Sequence, residues 1–174
     1  MLAKAKAEAQ KASAMPRTEE EQAELDDKLS RAAWFGEAEE VVRLLDLGAD
    51  VEKRQDDAFG FTPLIRAAKA GHAEVMRLLL AHGAAIGGRD NSGWGPSHWA
   101  ASFGKTDALA VLVAHGGDLT KRTSEGWTPH DVAAMKGKKA VVDFLASLPA
   151  TPSRATPAPV PASKSSSPQR SLAF

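Results

Sequence analysis

Five histidines are the residues of this chain best suited to chemistry, and their spacing decides which chemistry. His82 and His115 stand 33 residues apart, each directly before a glycine that closes an apolar stretch. A histidine there can bond the free carbonyls at a helix end and oppose the negative end of the helix dipole. Sharing a zinc ion would require both rings within about 2 Å of the metal, whereas equivalent positions on stacked helices lie about 8–10 Å apart. Helix capping is therefore the expected role. His72 follows the turn glycine Gly71, His98 follows Pro96 by two residues, and His130 directly follows Pro129. No Ser–His–Asp order, HExxH pair, phosphate-binding glycine loop or paired carboxylates stand out. Asp107 and Asp131 fit helix starts. The chain has no cysteine, which removes disulfides, thiolate nucleophiles and cysteine metal sites. The residues predict no catalytic group, no cofactor and no metal site. An enzyme with a site hidden among the histidines is the weakest alternative.

The elements that carry these histidines repeat. Gly60-Phe61-Thr62-Pro63-Leu64-Ile65-Arg66-Ala67-Ala68 returns 33 residues later as Gly93-Trp94-Gly95-Pro96-Ser97-His98-Trp99-Ala100-Ala101. It returns again as Gly126-Trp127-Thr128-Pro129-His130-Asp131-Val132-Ala133-Ala134. Thr62 and Thr128 can cap a helix, and Pro63, Pro96 and Pro129 suit its first turn, where an N–H is not needed. Gly71, Gly104 and Gly137 turn the chain into a second helix, and Gly48, Gly83 and Gly116 end that helix in a left-handed cap. Leu79 and Leu112 are equivalent and expected in the core. An earlier copy runs from Ala32-Ala33-Trp34-Phe35-Gly36 to Gly48, with about two extra residues in the following loop. Ser97 takes the place of Leu64, and Trp99 is expected to be buried and to restore the lost volume.

A 33-residue period built on Thr-Pro-Leu-His resembles the ankyrin repeat family. The resemblance covers residues 25–148 and implies an all-α solenoid of about four helix-turn-helix repeats with flexible N- and C-terminal flanks. The expected division is an Ala/Lys-rich extension over 1–17, a repeat domain over 18–148 and a Pro/Ser-rich tail over 149–174. Repeats are expected at about 25–55, 56–88, 89–121 and 122–148. Such a stack implies noncatalytic recognition of a protein partner by a concave face of inner helices and loop tips. The motif fixes most positions, so the free ones carry recognition: Phe59, Phe61, Arg89, Trp94, Arg122 and Trp127 at the tips, and Lys69, Phe103 and Met135 on inner helices. Buried aromatics and arginines are common interface anchors. An adaptor or regulatory subunit is the first reading, and a client-specific assembly chaperone is the alternative.

Composition sets the remaining bounds. The formal net charge is zero, without the basic surplus that a nucleic-acid partner requires. No apolar run is long enough to span a membrane, and the N-terminus lacks the apolar core of a secretory signal. A cytoplasmic or nuclear protein, monomeric when free, is expected. Thr18 with Glu21 is a capping-box pair, which starts a helix beneath the six acids Glu19, Glu20, Glu21, Glu24, Asp26 and Asp27, expected to be solvated. The tail has no acid, and its only large apolar residues beyond Val160 are Leu172 and Phe174, so it is not expected to fold by itself. Thr151, Thr156 and Ser167 each precede a proline and are candidate phosphorylation sites.

Overall fold

The structure is a computed structural model that describes residues 17–56 and 58–149. The expectations for the flanks, including Thr151, Thr156 and Ser167, lie outside the described residues. Eight helices occur among them: α1 (Glu19–Phe35), α2 (Ala38–Asp46), α3 (Pro63–Ala70), α4 (Ala73–Ala81), α5 (Pro96–Ser102), α6 (Thr106–Ala114), α7 (Pro129–Met135) and α8 (Lys139–Ser147). Each consecutive pair forms one repeat. The inner helices α1, α3, α5 and α7 pack side by side in one layer, and the outer helices α2, α4, α6 and α8 form a second layer behind them. The chain is an all-α solenoid.

Local chemistry sets the helix boundaries. Thr18 accepts from the N–H of Glu21 while the Glu21 carboxylate accepts from the N–H of Thr18, so α1 begins on a complete capping box. Thr62 Oγ1 accepts from the N–H of Ile65 at the start of α3. At α7, Thr128 and Asp131 form the reciprocal pair. α5 starts at Gly95, which has no side chain to offer, and His98 Nδ1 accepts from the Gly95 N–H instead. The first three outer helices stop where a glycine takes a positive φ. At Gly83 (φ 90°) the turn lets Ala84 N–H reach the Leu79 carbonyl at 3.0 Å and Gly83 N–H reach that of Leu80 at 3.1 Å. His82 and His115 take their expected capping places, with Nδ1 at 2.8 Å from the Leu78 carbonyl and 2.9 Å from that of Val111.

The core lies between the two layers. Ala32, Ala33, Ala67, Ala68, Ala100, Ala101 and Ala133 are buried, and their small side chains let neighbouring inner helices approach closely. Ala134 is exposed because no further repeat covers it among the described residues. The outer layer contributes Val41, Leu44, Val75, Met76, Leu79, Leu109 and Leu112, all buried. The first loop between repeats, 47–62, is two residues longer than its counterparts 82–95 and 115–128, where the sequence placed the extra residues.

Two expectations need correction. Trp99 is half-buried on the inner face and does not fill the space beside Ser97. A half-open pocket of about 140 Å³ borders Ser97, lined in part by Ile86, Leu112, Leu119 and Lys121. Asp26 is buried rather than solvated, because its Oδ1 accepts from Gln22 Nε2 at 2.8 Å and from the Asp50 N–H at 2.7 Å, tying α1 to the end of the first repeat. Two histidines tie neighbouring repeats together, His98 to the following loop and His72 to the end of α1. His98 Nε2 lies 3.0 Å from the Lys121 carbonyl and 3.1 Å from that of Trp127, and His72 Nε2 lies 3.0 Å from the Trp34 carbonyl. Since His98 Nδ1 accepts from Gly95, Nε2 carries the proton and the ring is neutral.

Burial holds His98 below its ordinary value of 6.5, with nearby Arg89 adding to the effect, while the two carbonyls and Asp90 oppose it. The unfolded chain therefore takes up a proton before the folded one does. Stability is full above about pH 6.5, declines as pH falls below it, and levels under the depressed folded value. Histidine NMR titration should find His98 protonating below 6.5, and His98→Asn should flatten the fall in thermal midpoint from about pH 7 to 5. An ordinary or raised value would refute this account. Leu79→Ala or Leu112→Ala should cost about 2–5 kcal/mol in denaturant unfolding. Ser97→Leu, which restores the side chain present at Leu64, should instead raise stability by about 0.5–2 kcal/mol; a loss would show that the pocket cannot take a leucine.

Candidate functional site

The inner face carries a packed aromatic cluster that spans three repeats. Its hub is Trp99 of α5. The Trp99 ring meets Phe61 edge-on at 5.3 Å, Trp94 at 4.9 Å and Phe103 at 6.2 Å between centroids. Phe59 stacks on Phe61 at 5.2 Å with planes 9° apart. The Lys69 ammonium of α3 sits among four rings, 4.7 Å from the centroid of Trp99, 4.9 Å from Phe61, 5.4 Å from Phe103 and 5.5 Å from Trp34 of α1. Such placement favours the cation through the ring quadrupoles. Arg66 adds a second guanidinium contact to Phe61 at 5.9 Å.

A buried carboxylate fixes the hub. Trp99 Nε1 donates to Asp90 Oδ2 at 2.8 Å, and Asp90 Oδ1 accepts from the N–H groups of Ser92 at 2.8 Å and Trp94 at 2.9 Å. One acid thus orders both the third repeat's tip loop and the indole that walls the groove. The tip loops are joined in turn. Asn91 N–H donates to the Phe59 carbonyl at 2.9 Å, and Ser124 Oγ donates to the Ser92 carbonyl at 3.1 Å.

The expected site residues divide into three groups. Phe59 is 51% exposed and Phe103 46% exposed, and both border the cluster. Lys69 and Trp94 are half-buried within it. Phe61 is only 6% exposed, because Phe59, Trp99 and Lys69 cover it, so it supports the surface rather than forming it. Arg89 and Arg122 do not project as anchors. Arg89 Nη1 donates to the carbonyls of Gly93 at 2.8 Å and Arg122 at 2.6 Å, and Arg122 Nη1 donates to that of Gly126 at 2.7 Å. Trp127 is half-buried beside the His98 tie and has no ring partner among the described residues. Met135 is 61% exposed on the last inner helix, at the register of Lys69, outside the cluster.

Sequence reasoning missed Trp99 and Asp90. The signal for Trp99 was present: one period earlier its place is held by Arg66, a residue ill suited to a core. Asp90 also left a signal, since Asp57 holds the same place one period earlier, three residues before a tip glycine, although Thr123 takes it one period later. Among the described residues no group of three or more His, Asp or Glu side chains could hold a metal ion, and no helix is long and apolar enough to cross a membrane.

Comparison with known proteins agrees with this architecture. The family described as Ankyrin repeats (3 copies) matches residues 29–123 and again 89–155. The chain is similar to the 2-5A-dependent ribonuclease of Mus musculus, 41% identical over 59 residues, which is 34% of this chain and 8% of that protein. It is 48% identical over 58 residues to the Ankyrin repeat and KH domain-containing protein 1 of Homo sapiens, 33% of this chain and 2% of that protein. It is 41% identical over 61 residues to the Ankyrin repeat domain-containing protein 13B of Mus musculus, 35% of this chain and 10% of that protein. The chain therefore spans a tenth or less of each relative's length. With the family matched across most of the described residues, the chain belongs to the ankyrin repeat family and is, at that level, a protein–protein interaction module.

Proposed function

We propose that the chain is a noncatalytic adaptor or regulatory subunit that holds one protein partner on its concave inner face. The supporting observation is the pair of exposed rings, Phe59 and Phe103, standing on a cluster already packed around Trp99 and Lys69. Aromatic anchors contribute most where they are rigid before contact, because less side-chain freedom is lost on binding. Here the supporting rings and the loop tips are held by the Asp90 bonds, so the partner meets a preformed surface. The noncatalytic part of the reading is supported by the histidines: His72, His82, His98 and His115 each direct a ring nitrogen at a backbone carbonyl. A cytoplasmic or nuclear setting belongs to the same proposal.

Phe103→Ala and Phe59→Ala should each weaken partner binding by about 1–2 kcal/mol, roughly 5–30-fold, with unchanged circular dichroism. Arg77→Ala, on the exposed side of α4, should leave binding intact. Quantitative capture with the three variants identifies the partner, and titration of that purified partner gives the affinities. Binding that survives both phenylalanine changes but falls with Arg77→Ala would transfer the site to the outer layer.

A further inference from the structure

The zero net charge of this chain conceals a partition. Residues 18–50 carry eleven acidic against three basic residues, a formal charge of −8, and residues 51–148 carry ten against twelve, or +2. Residues 149–174 carry Arg154, Lys164 and Arg170 with no acid, or +3, and residues 1–17 carry four basic against one acidic residue, also +3. The segment 149–174 holds six of the ten prolines, including Pro157, Pro159 and Pro161 in alternation. Proline-rich segments favour an extended helix with little entropy left to lose, and aromatic-lined grooves are their usual receptors. The inner face of this chain offers exposed rings of that kind, Phe59 and Phe103, on a packed aromatic base.

We propose that residues 150–174 dock in cis along the inner face. The prolines at 157–161 lie against the exposed rings of Phe103 and Phe59, and Lys164 and Arg170 lie toward the acidic first repeat. A partner must then displace the chain's own segment. The proposal rests on the reading of the inner face as a binding surface and adds its regulation.

Length permits this path. The outer helices run back toward the loop tips, so α8 delivers Pro149 to the tip side of the last repeat. Pro157 to Pro161 follow after 8–12 residues, about 25–37 Å of extended chain at ~3.1 Å per residue. Inner helices spaced about 8–10 Å apart put the rings of the third and second repeats roughly 10–20 Å along the stack, which leaves chain to round α7. Lys164 lies 15 residues from Pro149, roughly 46 Å at the same rise, enough to reach the first repeat about 30 Å away. The direction of the path matches the charge: the basic residues farthest along the segment arrive at the repeat carrying −8. A phosphate on Thr151, Thr156 or Ser167 adds about −1.5 to −2. That cancels half or more of the segment's charge and loosens the docked state.

A dye-labelled synthetic peptide of residues 150–174 tests the proposal, titrated into three full-length chains: the parent, a chain with Pro152, Pro157, Pro159 and Pro161 all replaced by alanine, and that chain with Phe103→Ala added. A tethered segment acts at an effective concentration on the order of 1 mM. If the free peptide binds near 0.1 mM, the parent should bind it roughly tenfold more weakly than the alanine-substituted chain, because its own segment competes. Phe103→Ala should weaken the peptide about fivefold or more, with circular dichroism confirming that the stack is intact. Equal affinity for parent and alanine-substituted chain, absence of binding to any chain, or indifference to Phe103→Ala overturns the proposal. The partner titrations separate the two readings. A peptide that fails to bind while Phe103→Ala still weakens the partner removes the cis segment alone. A competing peptide with a partner indifferent to Phe103 removes only the partner site.

Discussion

None of the helices of the last three repeats could stand by itself. They run seven to nine residues, whereas an isolated helix in water is marginal below about 12–15. Their stability comes from burial against the neighbouring repeat, and that requirement governs the rest of the molecule. Alanine pairs set the distance between inner helices, Leu79 and Leu112 fill the space behind them, and caps satisfy the helix ends that packing leaves open. Periodicity of 33 residues is the visible trace of this requirement, because a shift in one copy would misalign its contacts with both neighbours.

A stack stabilised between its layers leaves the outer side of the inner layer free of structural demand. On this chain that side is filled with rings rather than with the polar residues that would serve solubility. Two of the rings around the Lys69 ammonium, Trp34 and Phe103, are more than the fold needs, since their places in the last repeat, Met135 and Lys136, are exposed without loss of its core. The cluster also carries its own cost of order. The Trp99 indole is held by Asp90, and Asp90 also holds the backbone of the loop that bears Trp94. Wall and tip therefore move together or not at all.

The fold was legible because its determinants are local and repeated. Caps at Thr18, Thr62 and Thr128, turns at glycine and the buried leucines all follow from residues a few positions apart, read three times over. The inner face was less legible because its contacts run between repeats, among positions that differ from copy to copy. Phe103, Lys69 and Phe59 were found as free positions, but their convergence on Trp99 depends on the stacking of three repeats. Arg89 and Arg122 show the opposite error. Arginine chemistry suggested anchors, yet the two stand one period apart, each four residues before a turn glycine. Recurrence at the structural period marks a residue that serves the repeat, and both guanidinium groups indeed close their own loops.

The same criterion separates the residues that build the groove from those open to a ligand. Phe61, Trp94 and Trp127 recur at the period, and all three are at least half-buried. Phe59 does not recur, its equivalents being Ser92 and Glu125, and Phe103 returns only as the exposed Phe35 of the first repeat, with Ala70 and Lys136 at the other two places. Phe59 and Phe103 are exposed rings, whose removal takes little from the core. Truncating Phe61 or Trp99 would alter recognition and packing together, because each touches the other and Trp99 also orders a loop through Asp90. Exposed rings at positions that vary between repeats, on a periodic buried base, thus divide the surface physically: the recurring positions set its shape, and the varying ones are free to set its partner.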